Sequence, residues 1–112
     1  MPDLDTMYAD ADRLKDEGKL TESIDKLEEL LREDDSYVLA YLALAVLYGR
    51  VGQHDQAVER GQRACQLEPQ EAFNFTAMSV TYQRAWQATQ RMEYIHLAEE
   101  AKAKSHELQG RS

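Results

Sequence analysis

Apolar positions along this chain recur at three- and four-residue spacing, the pattern that places them on one face of a helix. They define six segments, near 4–17, 21–33, 37–50, 54–67, 71–84 and 90–108. No stretch alternates apolar and polar residues between turn signals, so no strand is predicted. Strong helix formers fill the segments, and only two prolines and five glycines interrupt the chain. One interruption stands out. The stretch VERGQRACQLEPQEAFNF, residues 58 to 75, reads as helix until Pro69, and a fresh apolar run begins shortly after it.

Pro69 makes sense once the sequence is compared with itself at a shift of 34 residues. Met7, Tyr41 and Phe75 then align, as do Ala11, Ala45 and Ser79, and Leu14, Tyr48 and Tyr82. Gly18 meets Gly52; Leu30, Ala64 and Ala98 form another row; Asp35 meets Pro69. Each unit therefore holds two helices. Small residues (Ala45, Ala57, Ala64) let the helices approach, while Tyr41, Leu44 and Tyr48 fill the seam between pairs. Gly52 permits the tight reversal. Pro69 cannot continue the preceding helix but suits a turn, so it marks a unit boundary. Thr21 and Thr89 are the predicted caps of the second and sixth helices.

The middle unit, VLAYLALAVLYGRVGQHDQAVERGQRACQLEPQE, resembles the tetratricopeptide repeat (TPR) family, with Tyr41, Leu44, Ala45, Tyr48, Gly52, Ala57, Ala64 and Pro69 at the family's spacing. The resemblance implies an all-α fold: a right-handed α-α superhelix, or solenoid, of about three TPR helix pairs with a longer C-terminal capping helix. A single domain, 1–112, is expected, with repeats at 4–37, 38–71 and 72–105 and a terminal cap at 106–112; the end of the last helix, AEEAKAKSHELQG, is expected to be polar-faced and to stop at Gly110. Two positions depart from the pattern. Gly61 stands where the family usually has a bulky apolar residue; either the repeat is simply degenerate here, or a bulky neighbour, Phe73 or Trp86, fills the space. Trp86 stands where the third unit should have its turn glycine.

In such proteins the first helix of each unit lines a concave groove that holds a peptide or helix of a partner. That carries over to Asp5, Tyr8, Asp12, Lys15 and Asp16; to Leu39, Leu42, Val46 and Arg50; and to Phe73, Thr76, Val80, Gln83 and Arg84. Leu39, Leu42, Val46, Phe73 and Val80 are apolar where a wet groove would be polar, and a contiguous apolar surface marks an interaction site. Three occupants remain open: a segment of the same molecule, a second copy in a homodimer, or a protein or peptide ligand such as an amphipathic helix. Relatives that hold a chaperone's terminal carboxylate use Lys, Asn and Arg at groove positions occupied here by Tyr8, Asp12, Ala43, Phe73 and Ala77. None of these neutralises a carboxylate, so that ligand is not expected.

Charge sharpens the picture. Of the net −8, residues 1–37 carry all of it, with thirteen acidic and five basic side chains; residues 38–112 carry eight of each. An acidic end repels phosphate backbones, which argues against nucleic acid. The longest apolar run, VLAYLALAVLY, is far short of the ~20 residues of a membrane span, so no membrane insertion is expected. The single Cys65 excludes an internal disulfide and fits a reducing compartment, and no secretory signal pattern opens the chain; a cytoplasmic protein is expected. No phosphate loop, metal-ligand spacing or nucleophile–base pair is present, so neither an enzyme nor a cofactor is predicted. His54 with Asp55, and His96 with Glu99 and Glu100, are too few for a stable metal site. Cys65 reads as a structural thiol. The expected role is that of a protein-interaction module, or else of a scaffold that assembles through the same groove.

Overall fold

A computed structural model of the chain describes residues 3–110. Six helices follow one another: α1 (Leu4–Asp16), α2 (Leu20–Glu33), α3 (Val38–Arg50), α4 (His54–Leu67), α5 (Ala72–Thr89) and α6 (Met92–Gln109). No strand occurs among the described residues. The helices pack as three hairpins, α1 on α2, α3 on α4 and α5 on α6, and the hairpins stack through α2 on α3, α4 on α5 and α3 on α5.

The first two hairpins turn alike. Gly18 and Gly52 adopt φ of 80° and 83°, a left-handed conformation that costs any residue with a Cβ. The next amide reaches back to the helix in both, Lys19 N–H to Leu14 O at 2.9 Å and Gln53 N–H to Tyr48 O at 2.8 Å, which satisfies otherwise orphaned carbonyls. This turn feeds the chain directly into α2, whose N-cap is Lys19; Thr21 lies within the helix and does not cap it.

The third hairpin differs. Its left-handed residue is Gln90, with φ of 60°. It falls 38 residues after Gly52, whereas Gly52 falls 34 after Gly18. The extra length is about one helical turn. The reason is local: nothing in RAWQAT breaks a helix, so α5 runs on to Thr89 rather than stopping near residue 84. Trp86 is therefore inside a helix and not at a turn, half-buried against Val58, Met78, Tyr82, Ala85 and Tyr94. Its indole N–H has no hydrogen-bond partner among the described residues. Thr89 closes α5 by donating to Ala85 O at 2.7 Å, and Arg91 is the residue before α6.

Two apolar clusters hold the stack. Met7, Ala11, Leu27, Leu30, Tyr41, Leu44 and Leu47 join the first two hairpins, and Val58, Met78, Tyr82, Tyr94, Ala98 and Ala101 join the last two. Gly61 sits between them. A Cβ placed there would collide with Met78 Sδ and lie 3.2 Å from Ala45 Cβ, so Met78 is the side chain that fills the space. The expectation of Phe73 or Trp86 fails, because Phe73 is 62% exposed on the other side of α5. At the Pro69 break, the buried Asn74 turns its amide onto the end of α4, donating to Ala64 O at 3.3 Å and Glu68 O at 3.4 Å. These bonds add to the backbone donors the two carbonyls already have, Glu68 N–H on Ala64 O and Glu71 N–H on Glu68 O, and tie α5 to the end of α4.

Polar bridges add to the stacking. Glu28 of α2 accepts from Tyr48 Oη at 2.6 Å and from Arg60 Nη2 at 2.6 Å, and Asp5 accepts from Tyr37 Oη at 2.7 Å. Arg91 and Tyr94 both donate to Asp55, at 3.2 and 2.9 Å. The last helix is less polar-faced than expected, since it buries Tyr94, Ala98, Ala101, Ser105 and Leu108. Gly110 follows it with φ of −69° and forms no left-handed cap. Of the terminal cap expected at 106–112, residues 111 and 112 lie outside the described residues.

Candidate interaction groove

The groove is built by α1, α3 and α5. Residues four apart on a helix share a face, so Leu42, Val46 and Arg50 follow one another along α3, and Phe73, Thr76, Val80 and Arg84 along α5. Those faces carry four large apolar side chains in the open: Leu39 is 52% exposed, Val46 41%, Phe73 62% and Val80 42%. The described residues leave them uncovered, and none of the described helices folds over the face.

Packing divides the groove into two clefts. α3 packs on α5 more closely than on α1. The gap toward α1 is a cleft of about 270 Å³, with Ser23 and Leu27 of α2 at its floor and Tyr8, Asp12, Lys15, Leu39, Leu42, Val46 and Phe73 on its walls. A second cleft of about 310 Å³ lies between α3 and α5, lined by Leu42, Val46, Phe73, Thr76, Val80 and Arg84. Leu42, Val46 and Phe73 form the wall common to both. Gln83 belongs to a third, more polar hollow, of about 320 Å³, where α6 contributes Lys102, Ser105 and His106 beside Thr76 and Val80. Thr76 and Ser105 join their hydroxyls across it at 2.5 Å. Arg50 is exposed at the end of α3 and lines none of these clefts.

Charge is unevenly spread along the groove. Lys15 lies 2.9 Å from Asp12 Oδ1 and 4.0 Å from Asp16 Oδ1, so the one cation of the first cleft is already paired, and these contacts raise its pKa. Tyr8 is held above its ordinary pKa, first by burial and then by the charge of Asp12. At the other end, Arg50 and Arg84 form no ion pair among the described residues.

Other chemistry gathers poorly. No group of three His, Cys, Asp or Glu side chains converges among the described residues. Cys65 is half-buried in a cleft on the opposite face, beside Gln62, Phe75, Tyr82, Leu97 and Glu100, and burial pushes its thiol up to about 11. A thiol so raised is a poor nucleophile at neutral pH. No described helix is long and apolar enough to cross a membrane. Sequence reasoning missed the cleft floor at Ser23 and Leu27 and the reach of α6 into the groove. The first needed the separation of α1 from α3; the second followed from the longer third hairpin.

No protein-family model matches the sequence, and no curated protein matches it. Solved structures do. A crystal structure of MamA is similar over 96% of this chain at 18% identity, with a TM-score of 0.81; the chain spans 59% of that protein's length. The Yersinia enterocolitica type III secretion translocator chaperone SycD is similar over 96% of this chain and 86% of its own, at 16% identity and a TM-score of 0.69. SycD in complex with a peptide of the translocator YopD matches at 14% identity, over 96% of this chain and 93% of that one, with a TM-score of 0.62. At such identities the likeness shows the fold. The chain has an all-α helical-repeat superhelical fold, the architecture that its resemblance to tetratricopeptide repeats implies.

Proposed function

We propose that this chain is a protein-interaction module that holds a peptide segment of a partner protein in the groove of α1, α3 and α5. The observation that carries the reading is the row of exposed apolar side chains, Leu39, Val46, Phe73 and Val80, on the two clefts. The fold it shares with SycD, which is solved with a translocator peptide, supports the same use of this architecture. The reading is of binding and not of catalysis. A cytoplasmic setting goes with it, on the single reduced cysteine.

Magnitudes set what the ligand must bring. Each of the four side chains is already about half covered, so burying the rest yields about 1 kcal/mol apiece. A micromolar complex needs about 8 kcal/mol net, after the cost of ordering the peptide. Apolar cover alone falls short, and backbone or charged contacts must supply the difference.

The test is selection of a random dodecapeptide phage library on the immobilised protein, with Val46→Glu/Val80→Glu as counter-target. Peptides rich in apolar residues should be enriched on the natural chain and lost on the variant, whose helicity by circular dichroism should be unchanged. Enrichment that ignores the substitutions would sink the groove reading. Sedimentation over a range of concentrations separates self-assembly: a dimer abolished by the same substitutions would mean that a second copy occupies the face.

A further inference from the structure

Charge along the groove says more about the occupant than its apolar clefts do. Within its span α1 carries four acidic side chains, at 5, 10, 12 and 16, against Arg13 and Lys15. α3 and α5 carry no acidic side chain at all, and one arginine each. Arg50 and Arg84 stand one 34-residue unit apart, each four residues beyond an exposed valine, Val46 or Val80, that lines the second cleft. Arg50 ends α3, where a cation is favoured by the helix dipole whatever else it does. Arg84 has no such account, because α5 continues to Thr89. Lys102 of α6 adds a third cation beside Val80, and none of the three has an ion pair among the described residues.

Resting on the groove reading, we propose that the occupant is a charge-polarised peptide, apolar in its middle, with a basic end over α1 and an acidic end over Arg50 and Arg84. Its length follows from the helices. Packed helices lie 8–10 Å apart, so α1 to α5 spans about 20 Å, which about six residues of extended chain cover. The two clefts, separated by the ridge of Leu42, Val46 and Phe73, accept apolar side chains from that middle. The charged ends set register and direction: reversing such a peptide places like charges together at both ends. An entirely basic segment gains at α1 but is repelled by the arginines, and an entirely acidic one fails at α1.

The same selected dodecapeptides test this separately from the groove itself. Sequences enriched on the natural chain should carry Lys or Arg toward one end and Asp or Glu toward the other. Synthetic, terminally capped versions should bind Arg50→Glu/Arg84→Glu at least tenfold more weakly by fluorescence anisotropy. Replacing the acidic end of the peptide by lysines should restore binding to that variant. Peptides that are groove-dependent yet lack charge asymmetry, or that bind the double variant equally well, overturn the polarity while leaving the groove reading intact. Absence of any enrichment dependent on Val46 and Val80 overturns both, and dimerisation through this face would then name a second copy as the occupant.

Discussion

The two junctions between hairpins are built on different principles. At the first, a broad cluster of leucines and tyrosines seals α2 to α3, and Glu28 ties α2 to both helices of the next hairpin. At the second, Met78 of a smaller cluster enters the hollow at Gly61, and the polar tie of Asp55 to Arg91 and Tyr94 is more exposed than that of Glu28. The hairpin beyond the first junction keeps the 34-residue spacing; the one beyond the second lengthens by a helical turn. Each cleft of the groove lies over one junction, so the difference in packing becomes a difference in shape: open toward α1 and close toward α5.

The largest way to break this contrast is at Gly61. Gly61→Leu should cost about 2–3 kcal/mol in urea unfolding by overpacking Met78, and adding Met78→Ala should recover much of the loss. A neutral Gly61→Leu would show that Met78 does not seal the junction. The first junction has no such plug, so its most sensitive polar point is Glu28. Glu28→Ala leaves Tyr48 and Arg60 without their acceptor and should cost about 1–2 kcal/mol. Were the loss within a few tenths, the clamp would be a surface contact only.

The turns give a smaller and oppositely signed pair. No atom crowds Gly52, so Gly52→Ala should cost about 1 kcal/mol from its left-handed backbone alone. Gln90 holds a similar conformation without being glycine, so Gln90→Gly should stabilise the protein by about 0.5–1 kcal/mol. Thermal melts of the two variants should move in opposite directions; parallel shifts would refute the equivalence of the turns.

The least effect is expected from pH. Tyr37, by its bond to Asp5, and Tyr48, by burial and its bond to Glu28, are both raised to about 12. A folded pKa above the unfolded value of 10 means that the folded state holds the proton longer. Their contribution is therefore complete below pH 10 and is lost as pH rises toward 12. Tyr37→Phe/Tyr48→Phe should start less stable and decline less steeply across that window. Parallel decline in both proteins would show that the two hydroxyls do not couple to folding.

Much of the architecture was legible in the sequence because it follows from period and turn chemistry. Gly18, Gly52 and Pro69 punctuate α1 to α4, and those helices end within a few residues of where the pattern puts them. Extrapolating the same period failed at Trp86, since a helix stops only when local residues or tertiary contacts stop it, and RAWQAT supplies neither. Met78 as the partner of Gly61 was not legible, because choosing among neighbours across a junction requires the angle between hairpins. Asn74 gave a signal that could have been read: an amide in an apolar segment soon after a helix-ending proline. On the groove, the resemblance to tetratricopeptide repeats placed Leu42, Val46, Phe73, Val80 and Arg84 on one surface, and all five line the second cleft. What it could not reveal was the division into two clefts, the pairing of Lys15 with Asp12 or the assignment of Gln83 to the hollow shared with α6.

The central claim is that this groove is the face that meets a partner, and methyl NMR tests it most directly. A selected dodecapeptide would be titrated into protein labelled at the leucine and valine methyls. The account predicts shifts at Leu39, Leu42, Val46 and Val80, with Leu97 on the opposite cleft unmoved. Shifts centred on Leu97, with the groove methyls silent, would contradict it.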